Sequence, residues 1–292
     1  MNHILSNEYL TIEVSPHGAE LQSIRNNRTG HEYLWQGNPA FLGRRSPVLF
    51  PIVGSLWNGE YHTGGNTYKM SQHGFARDMD FTIVEETETT LRFKLDSTPE
   101  TLAAFPFCFS LEISYELNET RLEVGWMVKN LSETVMPFQI GAHPAFNYPD
   151  FSTADTIHGY FSLGGNTETR YELIESAGCL GNAMHNLATD AESMLPLTDR
   201  TFSHDALVIG NNQVHRVSLL TPGRTPYLTL LFRAPVLGLW SKPGAPFVCI
   251  EPWWGRCDRV GFDGDASTRE YINLLDPRKT FKAGYYILID NI

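Results

Sequence analysis

A chain of 292 residues, 42% apolar and 19% charged, carries ample core for one large domain and is neither disordered nor fibrous in composition. A net charge of −11 argues against a nucleic-acid backbone as partner, because phosphate binding needs a basic face; the acidity serves solubility. Met1 to Glu8 hold no basic leader followed by an apolar stretch, and nowhere do about 18 apolar residues run together, so neither a secretory signal nor a membrane span is expected.

Period-two alternation begins with Leu10, Ile12 and Val14 and returns with Leu91, Phe93 and Leu95, which predicts strands at both places. Pro99 to Phe105 predicts about two turns of helix, with Ser97 or Thr98 as cap and Glu100 in the first turn. A hairpin follows. Phe109, Leu111, Ile113, Tyr115 and Leu117 share one face, Asn118-Glu119-Thr120 makes the turn, and Leu122, Val124, Trp126 and Val128 return. The segment 152–205, full of Gly, Thr and Asn, reads as a long excursion over the surface. Short apolar runs at 214–220, 227–233, 236–240, 247–251 and 284–289 predict the remaining strands. With 24 Gly and 17 Pro as punctuation and no internal repeat, the pattern is that of an all-β chain, a single domain over 1–292 built as a large antiparallel sandwich.

Cys108, Cys179, Cys249 and Cys257 are widely spaced and form no CxxC pair. Reduced thiols in a cytoplasmic protein are expected, without a disulfide framework or structural zinc.

Three loops concentrate the chemistry: Gln72-His73-Gly74-Phe75-Ala76-Arg77, Gly141-Ala142-His143-Pro144-Ala145-Phe146-Asn147, and Cys249-Ile250-Glu251-Pro252-Trp253-Trp254-Gly255. Each sets a titratable group beside Gly or Pro at the end of an apolar run, with aromatics close by, which suits a sugar site. Together they resemble the signature of the galactose-mutarotase (aldose 1-epimerase) superfamily. His73-Gly-Phe-Ala-Arg77 and Ser46-Pro-Val-Leu-Phe-Pro-Ile-Val-Gly54 resemble its LacX-like branch. The resemblance implies a single antiparallel β-supersandwich with a small-molecule sugar in a groove across one sheet face, acting as monomer or homodimer without cofactor or metal.

The same resemblance implies that His143 is the general acid on the ring oxygen and Glu251 the base on the anomeric hydroxyl. It places His73 near the ring oxygen and Asp205 on the sugar hydroxyls. Many members carry arginine where this chain has Ser55, so Arg45 or Arg77 is expected to supply that contact. Alternation along a strand lets only one of Trp253 and Trp254 face a groove. Trp254 is the candidate for stacking on the sugar, and Phe146 either closes the floor of the site or fills the core. Trp240 is expected in the core or at the rim. The other eight histidines belong to no constellation.

Opening a hemiacetal removes a proton from O1 while another reaches O5, so one group must be basic and another acidic at the same pH. A histidine near its ordinary pKa of about 6.5 and a glutamate raised from about 4.3 by burial suit those roles. The expected activity is anomer interconversion of a free aldohexose. The alternatives are a hexose-6-phosphate 1-epimerase, with Arg44, Arg45 and Arg77 at the phosphate, and a non-catalytic sugar-binding or sensor protein. A metal enzyme using His73, His143 and Glu251 fits by residue type, but no closely spaced ligand pair supports it.

Overall fold

The computed structural model describes residues 1–165 and 168–290. Every strand pairing in it is antiparallel apart from two isolated bridges. Two large sheets dominate. One has nine strands; its centre is the predicted hairpin, Phe109–Asn118 with Arg121–Asn130, flanked by Thr90–Asp96 and Thr280–Ile289. The other, of eight strands, runs from Cys179–Asn186 through Arg170–Ser176, Leu207–Ile209, Val236–Trp240 and Phe247–Trp254 to Ile140–Ala142 and Val48–Leu49, with Ala145–Asn147 joined to Phe247–Trp254. The fold is all-β, as expected.

The main core lies between these sheets. Phe93, Leu111, Val124 and Ile287 enter it from the larger sheet, and Leu239, Val248, Ile250 and Phe146 from the smaller one. The smaller sheet is covered on its far side too. There Leu49, Val208, Val236, Trp253 and Cys257 form a second cluster, and Trp35, Ala145, Phe247 and Cys249 a third. A strand buried on both faces reads as an unbroken apolar run, which explains Phe247-Val-Cys-Ile250.

The predicted helix forms at Pro99–Ala104, with Thr98 as cap and Thr101 closing a reciprocal capping box. The expected surface excursion at 152–205 is overturned. Gly159–Ser162 and Met194–Leu197 extend the nine-stranded sheet, and Arg170–Ser176 with Cys179–Asn186 form the edge of the other. Alternation is weak here because Gly159–Ser162 is buried on both faces, while Arg170–Ser176 is largely exposed with a bulged register between Glu172 and Ser176. No helix among the described residues is long and apolar enough to cross a membrane, and the four cysteines are free thiols.

One turn depends on a glycine. Gly74 lies at φ 72°, directly after His73 at φ 66°, and a Cβ on Gly74 would stand 2.3 Å from the Phe50 carbonyl oxygen. That carbonyl accepts the amides of Phe75 and Ala76, so the close approach is what docks the loop. Gly74→Ala combines a steric clash with a disfavoured backbone and is expected to cost at least about 1–3 kcal/mol. Urea unfolding should show a lower midpoint with unchanged slope; an unaltered midpoint would refute this account of the turn.

Candidate functional site

Alternation on the strand Phe247–Trp254 builds the site. Ile250 and Trp254 point into the main core, while Cys249, Glu251 and Trp253 emerge on the far face. There Glu251 and Trp253 meet a cavity of about 490 Å³, which His143, His73, Arg77 and Asp205 also line. The Trp253 indole fits against the sheet because its neighbours at that point, Gly141 and Gly238, carry no side chain; a Cβ on either would stand within 2.8 Å of the ring.

His143 hangs between the strands Ile140–Ala142 and Ala145–Asn147. Its amide donates to Pro47 O at 3.1 Å, the Ala145 amide donates to Arg45 O, and Pro144 O accepts from the Ile250 amide of the neighbouring strand. Its Nε2 lies 3.4 Å from Glu251 Oε1, with side-chain exposures of 13% and 2%, so the contact is shielded from bulk water. His73 is fixed twice. Its amide donates to Gly54 O at 2.8 Å, and the Gly54 amide donates to His73 Nδ1 at 3.0 Å. An accepting Nδ1 leaves the proton on Nε2, so neutral His73 is a donor at that nitrogen. Fully buried Gln139 braces the surroundings, accepting from Val53 N at 2.9 Å and donating to Arg256 O at 3.0 Å.

Desolvation dominates the electrostatics. Burial pulls the His143 imidazole down to about 4, with Arg77 and Arg44 adding repulsion. It also pushes the Glu251 carboxyl well above its ordinary 4.5, against the Trp253 indole and with the Asp205 charge adding to the rise. His73 falls well below its usual value through burial and the charges of His143, Arg77 and Arg44. Both shifts oppose charge on the His143–Glu251 pair, so a proton shared across the contact favours the carboxyl side.

Of the residues expected at the site, His143, Glu251, His73, Arg77 and Asp205 converge on this cavity. Asp205 sits at the exposed rim, in a turn at φ 71°, with Oδ1 accepting from Ala206 N at 2.8 Å. Arg45, Trp254 and Phe146 do not line it. The Arg45 side chain turns away to donate to Gln22 O at 2.7 Å, and Arg44 faces the cavity in its place, held by Asp78 at 2.5 Å. Trp254 faces the opposite side of its strand, edge-on to Trp126 at 5.6 Å, on a separate surface cavity with Tyr286 and Lys282. Phe146 is fully buried in the main core. The face of Trp253 was readable once Glu251 was placed, since the two share strand parity. Trp240, Lys242 and Gln72 also line the cavity; Gln72 lies in the first of the three loops, and no local signal marked Lys242.

Ser55 stands under the turn of the hairpin Arg170–Asn186. A Cβ on Gly178 would lie 2.3 Å from Ser55 Oγ, so that turn occupies the room that an arginine at 55 would need. Among the described residues, His143, Cys249 and Glu251 have metal-ligating atoms within 4.8 Å of one another. His73, a member of the alternative metal set weighed above, is outside it.

The family model for aldose 1-epimerase matches residues 2–230. Protein LacX from Lactococcus lactis subsp. lactis is 31% identical, with 98% of this chain and 99% of the relative covered. A galactose mutarotase related enzyme from Lactobacillus acidophilus superposes with a TM-score of 0.92 at 36% identity, covering 100% of this chain and 98% of that one. A galactose mutarotase-like protein from Lactobacillus casei gives 0.93 at 28%, covering 99% and 100%. The chain belongs to the aldose 1-epimerase family. Its fold and family support an epimerase of the mutarotase type.

A carboxyl raised in the native state contributes stability that is fully present below its unfolded pKa of 4.5 and is lost as pH rises toward the folded value. Glu251→Gln removes this liability. The variant is expected to melt at a higher temperature than the parent near neutral pH, with the gap closing as pH falls toward 4.5. Thermal denaturation across that range checks it; a variant that is equally stable or weaker at neutral pH contradicts the burial argument.

Proposed function

We propose that this chain interconverts the α and β anomers of an aldohexose by general acid–base ring opening. The observation that carries the reading is the shielded 3.4 Å contact of His143 Nε2 with Glu251 Oε1 at the floor of a sugar-sized cavity. Ring opening balances with one proton on the pair. As O5 takes the site's proton and the O1–C1 bond becomes a carbonyl, the O1 proton passes to the site; closure on the other face of C1 reverses both transfers. His143 acts as donor to O5 and Glu251 as acceptor from O1, with the reactive form reached when the shared proton lies on the imidazole. Sugar hydroxyls entering the cavity supply solvation whose lack drives both groups neutral. His73, fixed as an Nε2 donor, steadies the ring oxygen, and Asp205 and Trp253 hold hydroxyls and the C–H face.

A free aldose is the preferred substrate, because Arg44 is already held by Asp78 at 2.5 Å and Arg77 lies 3.9 Å from the same carboxylate. The second reading is a phosphorylated aldose, favoured by Arg44, Arg77 and Lys242 lining one cavity. The chain over 1–292 is taken to act as one domain.

His143→Asn and Glu251→Gln are each expected to lower anomerisation by at least about 10², measured by NMR over a panel of free and 6-phosphorylated aldoses. The pH profile should be bell-shaped. The acidic limb marks a second proton joining the pair, low because His143 is drawn down to about 4, and the basic limb marks loss of the proton held by Glu251. A rate that keeps climbing through the alkaline range, or either variant near parental turnover, sinks the assignment.

Arg44→Ala separates the two substrates. For a free aldose it should weaken free and phosphorylated sugars alike, by roughly 0.5–3 kcal/mol for a lost hydrogen bond. Titration calorimetry showing loss for the phosphosugar alone, with steep salt dependence in the parent, moves the phosphorylated substrate to first place.

A further inference from the structure

Cys249 is left idle by the acid–base reading, yet it stands beside both of its groups. It precedes Glu251 by two residues on one strand, so both side chains leave the same face. Donor atoms of His143, Cys249 and Glu251 all lie within 4.8 Å of one another. Zinc holds nitrogen and oxygen at about 2.0 Å and sulfur at about 2.3 Å, which puts tetrahedral ligands roughly 3.2–3.8 Å apart. The His143–Glu251 separation of 3.4 Å already falls in that range, and small side-chain rotations bring the thiol in. A second feature points to a cation. Glu251 Oε2 is buried without a close hydrogen-bond partner, on a carboxyl side chain only 2% exposed. An acceptor left so is costly unless something satisfies it.

We infer that His143, Cys249 and Glu251 form a binding site for a divalent cation of the zinc class, and that its occupation inhibits the sugar reaction. One imidazole, one thiolate and one carboxylate suit zinc or cobalt; magnesium and calcium take oxygen donors and have no use for the sulfur. Three protein ligands leave a fourth position toward the cavity, for water or a sugar hydroxyl. The ion takes the imidazole lone pair and the carboxylate oxygen that ring opening uses. Inhibition thus rests on the acid–base reading, whereas binding of the ion does not. Cys179 and Cys257 are outside this group, so they do not substitute for Cys249.

The test begins with chelator-treated protein. Cobalt(II) is expected to bind one equivalent with tetrahedral d–d bands and a thiolate-to-metal charge-transfer band, and zinc to displace it. Cys249→Ala should lose the charge-transfer band and need at least about tenfold more zinc for half-inhibition, in line with ligand-shell losses, while its metal-free rate matches the parent's. Cys249→Ser carries the same comparison if alanine unsettles the fold, which circular dichroism reports. Absence of the thiolate band in the parent, or zinc inhibition unchanged in the variants, overturns the site. Should no tested aldose turn over, the cobalt spectra still decide the metal site, and only the acid–base reading fails.

Discussion

The strand Phe247–Trp254 has no wet face, and most of this structure follows from that. Its even positions look into the main core and its odd positions to the far face, where Glu251 and Trp253 line the cavity. A carboxyl placed on such a strand must either find a partner or give up its charge. Glu251 does both in part, reaching His143 at 3.4 Å while burial raises its carboxyl well above the usual 4.5. The cost of burying an acid here is the same physical fact as the rise in its pKa.

The surrounding loops are rigid for reasons that bear on this pair. His73 receives the Gly54 amide on Nδ1, so its tautomer is set by backbone rather than by solvent. Gln139 joins the segment of Val53 to that of Arg256. Beyond it a buried ionic cluster, Arg256 with Glu172 at 2.8 Å and Arg259 with Glu172 at 2.6 Å, ties the segment after Trp254 to the strand Arg170–Ser176. Removing one partner from such a cluster leaves an uncompensated charge, so it fixes geometry more than it adds stability. Preorganised donors and acceptors need no rearrangement when the sugar arrives.

The departure at Ser55 fits the same architecture. The hairpin Arg170–Asn186 folds over the site, Gly178 sits against Ser55, and Phe202, Ser203 and Asp205 complete that wall. A stretch that seemed a surface excursion is therefore a wall of the candidate site. Cation character comes instead from Arg44, Arg77 and Lys242 on other loops.

The sequence alone determined the all-β class, the hairpin at 109–128, the capped helix at 99–104 and the three loops that hold His73, His143 and Glu251. These are local signals: alternation, turn residues and caps act over a few positions. It did not determine facing. Whether Arg44 or Arg45 turned to the cavity depended on how their loop packed, and Trp253 rather than Trp254 followed only once Glu251 was set on the cavity side of a strand whose two faces both read as apolar. Nor did it determine neighbours. Trp240, Lys242 and the thiol of Cys249 reach the site through strand pairing, Val236–Trp240 against Phe247–Trp254, and pairing is a long-range choice made only when the sheets pack and the core closes.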